Sequence, residues 1–183
     1  MYQVVTTHVP DRNTLIFEMG SYNSEIALVL WQAGYHRIRA SDLNPLGRAI
    51  RWYGNRIEFH CEDFYNPALP PASVGVMTAL SVIEHGYDQD KLLHVATRLL
   101  VPGGLLLITT DYHEKGIVIP SDFRYFGLPY HIFSRDDIDN LIQSAASVGL
   151  ELLGTSEWEP SEYPIRWEGW QFTFIFVGFR KVR

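Results

Sequence analysis

The chain carries one cysteine, Cys61, among 183 residues. A lone thiol excludes a disulfide scaffold and any zinc site built from several cysteines, and it fits a reducing compartment. Long apolar runs are missing as well. No stretch reaches the roughly 18 apolar residues of a membrane helix, and the greasiest segment, 99–108, is interrupted by Pro102, Gly103 and Gly104. The first eight residues lack the basic and apolar regions of a secretory leader. Clusters of basic residues are absent too. Lys and Arg total 15 against 21 Asp and Glu, a net charge of −6 with a pI near 5.6, whereas a binder of nucleic-acid backbones needs a basic footprint. What is there is apolar and aromatic: 46% hydrophobic residues, 14% of the total aromatic, enough for a core and too much for disorder. The expectation is one acidic, cytoplasmic domain spanning 1–183, with neither nucleic acid nor membrane as partner.

Strand-like and helix-like segments alternate. Residues 14–19 form a short apolar run that ends at Gly20, and 24–33 place Ile26, Ala27, Leu30 and Trp31 at helical spacing. A second strand closes at Ser41-Asp42, followed by a helix opening at Pro45; a third covers 57–61 and a fourth 74–82. An amphipathic helix over 88–100 turns through Pro102-Gly103-Gly104 into a fifth strand, 105–110. A helix at 134–148 is capped by Ser134, with Asp136 and Asp137 in its first turn. Strands at 150–154 and 171–179 complete the set. Such repetition implies an α/β fold with a doubly wound, mostly parallel sheet covered on both faces. No helix precedes the last strand, so it inserts antiparallel to its neighbour. Its Phe172, Phe174 and Phe176 read as a core stripe, and Cys61 as a small buried hydrophobe.

Ligands of doubly wound sheets bind at the carboxyl ends of the strands, near the reversal of strand order. The residues found there are Glu18-Met-Gly20-Ser21-Tyr22, Asp42, Asp63, Leu80-Ser81-Val-Ile-Glu-His85 and Asp111-Tyr-His113. Asp42 follows Gly20 by 22 residues, where an acid binds a ribose hydroxyl pair. Asp63 is placed for an adenine amine. In order and spacing, with Val82 and Pro102 separated by 20 residues, Glu18-x-Gly20, Ser41-Asp42-Leu-Asn-Pro45, Asp63, Val-Ile-Glu-His85 and Leu-Leu-Val-Pro-Gly-Gly104 resemble the class I S-adenosylmethionine-dependent methyltransferases. The resemblance covers roughly 14–180. It implies a Rossmann-like sheet of seven strands, methyl transfer to a small-molecule acceptor at oxygen, nitrogen or carbon, and S-adenosylhomocysteine as product. It also implies that Glu18, Gly20, Ser21 and Tyr22 line the methionine end, Asp42 and Leu43 the ribose, and Asp63 and Phe64 the adenine. Leu80, Ser81 and His85 would then floor the region beside the sulfur.

The first turn departs from the family pattern: Tyr22 and Ser24 stand where glycines are usual. Bare amides are indispensable to a pyrophosphate but less so to a phosphate-free cofactor, so the substitution counts more against an NAD(P)-dependent oxidoreductase than against a methyltransferase. A binding module with weak or no catalysis stays open as the alternative. Candidate proton acceptors are His85, His113, His131 and Asp111, histidine being matched to neutral pH. No metal is expected. The first strand starts so early that 1–13 form only a short extension, and closure over the acceptor falls to 111–133, to 158–170 or to a second subunit of a homodimer.

Overall fold

Short apolar runs separated by helices impose parallel pairing, and the computed structural model shows it over the residues it describes, 1–22, 24–49, 56–155 and 158–182. Helix α1 (Tyr2–His8) leads into β1 (Ile16–Met19), α2 (Ile26–Gln32), β2 (Ile38–Asp42), a 3₁₀ helix (Pro45–Ala49), β3 (Glu58–Cys61), β4 (Val74–Leu80), α3 (Gln89–Leu99) and β5 (Leu100–Tyr112). The strands β6 (Arg124–Tyr125) and β7 (Leu128–Pro129), α4 (Arg135–Ser147), β8 (Leu150–Leu152), β9 (Ile165–Trp167) and β10 (Trp170–Lys181) follow. The main sheet runs β3-β2-β1-β4-β5-β10-β8, with β9 paired to β10 off this path. Strands β1 to β5 pair in parallel. β10 lies antiparallel to both β5 and β8, as expected of the last strand.

Alternation along each strand divides the core between two faces. Phe17, Met19, Met77, Leu106 and Ile108 pack with Leu92, Leu99, Ile138 and Leu141 of α3 and α4. Ile16, Val76, Leu105 and Leu107 pack on the other side with Val5, Ala27 and Leu30 of α1 and α2. Caps fix the helices on the first face. The Asp88 carboxylate accepts the Lys91 N–H at 3.0 Å, and Ser134 and Asp137 cap each other reciprocally at α4.

Several expectations change. The 1–13 extension contains α1, held by the buried Tyr35, whose hydroxyl donates to Val9 O at 2.6 Å. Pro102-Gly103-Gly104 lies inside β5 rather than before it, where the pairing with β4 shifts register between Val74 and Val76. The segment opening at Pro45 is a 3₁₀ helix, and 50–55 fall outside the described residues. Cys61 is exposed, because β3 is the edge strand and its burial is only partial. The phenylalanine stripe is not uniformly core. Phe172 and Phe176 pack, but Phe174 is 56% exposed, since the core under α1 and α2 ends at Phe176. Both loops expected over the site contain strands. In 111–133 the β6–β7 hairpin turns at Phe126 and Gly127, both at positive φ, and returns to the sheet through bridges His85–Tyr130 and Tyr112–Phe133. In 158–170, β9 pairs with β10.

Candidate active site

Strand order reverses between β1 and β4, and the chain after β1 is bound tightly there. Gly20 has φ +64°, and a Cβ at this position would lie 2.5 Å from both Val82 methyl groups. Only glycine meets both conditions. Beyond it, Ser21 N–H donates to Ser41 O at 2.9 Å. Tyr22 N–H donates to Asp42 Oδ2 at 2.9 Å, and Asn44 N–H to Asp42 Oδ1 at 2.7 Å. Asp42 thus holds the first turn to the second strand end, and each of its oxygens keeps a further lone-pair position. The tyrosine that replaces a glycine uses its backbone amide for this bond.

Glu18 lies beneath this turn and is 1% exposed. The Ser24 hydroxyl donates to Oε1, and Oε2 has no partner among the described residues. Burial pushes its carboxyl up to about 8, moderated by the Ser24 bond and reinforced by the negative charge of Asp42. Across the reversal, Ser81 takes φ +53° and donates its N–H to Thr109 O at 3.1 Å and Thr109 Oγ1 at 3.0 Å. Further out, Leu43 is exposed, Phe64 is buried in the α3 core, and Asp63 accepts the Tyr65 N–H at 2.9 Å. Glu18, Gly20, Ser21, Tyr22, Asp42, Leu80 and Ser81 therefore surround one place. Asp63 and Phe64 stand at the end of β3, two strands away.

Beyond the ends of β4 and β5, the Tyr130 hydroxyl donates to Asp111 Oδ2 and Thr110 Oγ1 donates to Glu84 Oε2 at 3.0 Å. Burial pushes Asp111 up to about 6, and it pushes Glu84, with the charge of Asp111 beside it, up to about 8. The ring of His85 lies 5.4 Å from those of Tyr125, Phe126 and Tyr130. Burial lowers it to about 4, and its Nδ1 has no partner. The other two histidines point elsewhere: His131 Nε2 lies 3.1 Å from the α4 cap Asp137, and His113 stacks on Tyr163 at 4.3 Å. Of the four candidate proton acceptors, His85 and Asp111 are linked through Tyr130, whose ring packs near His85 and whose hydroxyl donates to Asp111. Sequence reasoning missed Tyr130, Glu84 and Thr110. An acid four residues beyond the end of the buried strand β4 was a usable signal for Glu84, but the 19-residue separation of Tyr130 from Asp111 leaves none.

A sequence profile for methyltransferase domains matches residues 17–108, half of the chain. The chain belongs to the class I S-adenosylmethionine-dependent methyltransferases. No curated protein matches it by sequence. Among solved structures it is similar to the [4+2]-cyclase SpnF, at 21% identity over 84% of this chain with a TM-score of 0.65. It spans 56% of the length of that protein. It is also similar to the 1,6-didemethyltoxoflavin-N1-methyltransferase of Burkholderia thailandensis, solved with S-adenosylhomocysteine (17% identity, 99% of this chain, 76% of that one, TM-score 0.69). A third is the geranyl diphosphate C-methyltransferase of Streptomyces coelicolor A3(2) (12% identity, 98% of this chain, 76% of that one, TM-score 0.72). At these identities the likeness shows the fold.

This methyltransferase family uses S-adenosylmethionine, and the residues present fit it. The orphaned Glu18 Oε2 suits a cationic group, Asp42 has lone pairs left for a diol, and the amides of Ser21, Tyr22 and Ser24 in the first turn are already bonded within the protein, unlike the bare amides a pyrophosphate needs. Among the described residues no helix is long and apolar enough to cross a membrane.

Proposed function

We propose that this methyltransferase transfers the methyl group of S-adenosylmethionine to a small-molecule acceptor, with Asp111 as the proton acceptor. The buried Glu18 carboxyl under the Gly20 turn carries the reading: Ser24 bonds its Oε1, Oε2 has no hydrogen bond, and no Lys or Arg among the described residues pairs with it. When bound, the cofactor supplies an electrophilic methyl group, so no covalent enzyme intermediate is required. Glu18 provides the countercharge for the cofactor's ammonium group, and Gly20, Ser21 and Tyr22 line the methionine end. Asp42 accepts from the ribose hydroxyls beside Leu43, and Asp63 and Phe64 border the adenine. Leu80 and Ser81 floor the approach to the acceptor.

Asp111, pushed up to about 6, is ionised at neutral pH and still basic enough to take a proton, the balance general-base catalysis favours. Tyr130 fixes its orientation. His85, lowered to about 4, is a poor base and serves as a ring in the pocket wall, while His113 and His131 anchor the covering segments. The acidic charge balance and the two neighbours acting on small molecules support an acceptor of that class.

Calorimetric titration with S-adenosylhomocysteine tests the cofactor half of the proposal. Micromolar binding is expected, and no heat at millimolar ligand refutes the enzyme reading in favour of a binding module. Mass spectrometry of acceptor mixtures then reads the gain of one methyl. Asp111→Asn should cut turnover by about 10²–10⁴-fold with cofactor affinity retained; a fully active variant would remove Asp111 from the chemistry.

A further inference from the structure

The side of the site formed by Glu84, Asp111 and Tyr130 has rings and carboxyl groups, and among the described residues no Lys or Arg pairs with those carboxyls. Asp111 is 6% exposed; its Oδ2 takes the Tyr130 hydroxyl, and its Oδ1 has no hydrogen bond among the described residues. Phe174 faces Asp111 across the antiparallel ladder, so the two side chains leave the same face of the sheet a few ångström apart, and Phe174 is largely open to solvent. Tyr130 extends this wall. Its ring centroid lies 5.4 Å from His85, 6.1 Å from Tyr125 and 6.2 Å from Trp170. Two residues before Asp111, Thr109 pairs with Leu80 and receives the Ser81 amide. The carboxylate is therefore next to the floor at which the methyl is handed over.

Among the described residues, Lys and Arg form their ion pairs with Glu62, Asp88 and Asp139 and none with Glu84 or Asp111. A largely buried carboxylate without a counter-ion is costly, and aromatic faces attract cations. A carboxylate or phosphate on the acceptor would meet Asp111 with like charge. Resting on the methyltransferase reading above, we infer that the acceptor is an amine on an apolar or aromatic body, which arrives as an ammonium ion held at Asp111 with its body against Phe174 and Tyr125.

The ammonium gives one proton to the Asp111 carboxylate, leaving a neutral amine and a carboxylic acid. The nitrogen lone pair forms the new N–C bond as the C–S bond breaks, and the electron pair of that bond stays on sulfur as a thioether. The product is a methylammonium ion, and the carboxyl proton passes to water.

Three probes with a common phenyl body test the inference: 2-phenylethylamine, 2-phenylethanol and 3-phenylpropanoate, each titrated at pH 7 into protein saturated with S-adenosylhomocysteine. The amine is expected to bind at least about tenfold more tightly than either of the others, and to gain one methyl when S-adenosylmethionine is supplied. Asp111→Asn should erase the preference without changing S-adenosylhomocysteine affinity, and Phe174→Ala, at an exposed position, should weaken amine and alcohol together. Alcohol or carboxylate binding as tightly as the amine overturns the assignment. So does a preference that survives Asp111→Asn, or no amine binding at millimolar concentration. Failure of S-adenosylhomocysteine itself to bind overturns the methyltransferase reading and the inference with it.

Discussion

Binding of S-adenosylhomocysteine at pH 7 is expected to release close to one proton, and its source is Glu18. Burial holds that carboxyl at about 8 in the free protein, so about ten molecules carry the proton for each that does not. An ammonium group arriving at the unpartnered Oε2 favours the ionised form. If the pairing returns Glu18 to the ordinary carboxylate range, about 0.9 proton leaves at pH 7 and only about 0.1 at pH 9, where the free group is already ionised. Calorimetry in Tris and in phosphate, buffers with very different ionisation enthalpies, reads the number directly from the difference in heat. Glu18→Gln keeps the shape and the Ser24 contact but has no proton to lose, and its release should be near zero. The same group shapes stability. An unfolded glutamate ionises near 4.5 and this one near 8, so between those values the unfolded chain holds fewer protons and the free protein weakens as pH rises. The loss is largest above 8, at most about 4–5 kcal/mol from this group, and Glu84 acts in the same direction. Glu18→Gln should therefore melt higher than the parent at pH 9. Equal heats in the two buffers, or release that persists in Glu18→Gln, would refute the reasoning.

Gly20→Ala should destabilise by about 2–4 kcal/mol in chemical denaturation, because its Cβ meets Val82 in a left-handed backbone; adding Val82→Ala should recover part of the loss. Asp42→Ala frees two amides as well as removing the proposed partner of the ribose hydroxyls. It should lower stability by about 2 kcal/mol, and the calorimetric dissociation constant of S-adenosylhomocysteine should rise by at least about tenfold. Tyr130→Phe removes the bond that lowers the Asp111 pKa. Turnover, which should rise with pH through about 6, should shift its acidic limb upward in this variant, and an unmoved limb would separate Tyr130 from Asp111.

Much of this was legible in the linear sequence, because it depends on neighbours in the chain. Apolar runs of strand length, capped helices and the acids that close each strand are local patterns, and topology carries Gly20, Asp42 and Ser81 to one edge once strand order is known. The sequence marked Asp42 as a candidate ribose partner, but not as the clamp that receives the Tyr22 amide 20 residues away. Among the histidines, residue type suggested three bases. Tertiary contacts turned His131 toward a helix cap and His113 onto Tyr163, and they enclosed His85 among rings that strip it of charge.

The sequence by itself determined the layered parallel sheet, its antiparallel last strand and the set of residues that close the strands at one edge, since hydrophobic period and strand-end residues encode them directly. The tertiary structure decided which carboxyls are buried with a hydroxyl partner but, among the described residues, no Lys or Arg beside them. It also set Tyr130 on Asp111 and left Phe174 open while its stripe-mates pack. Burial, and with it basicity and charge preference, is a property of what the rest of the chain brings to a residue, which local pattern does not carry.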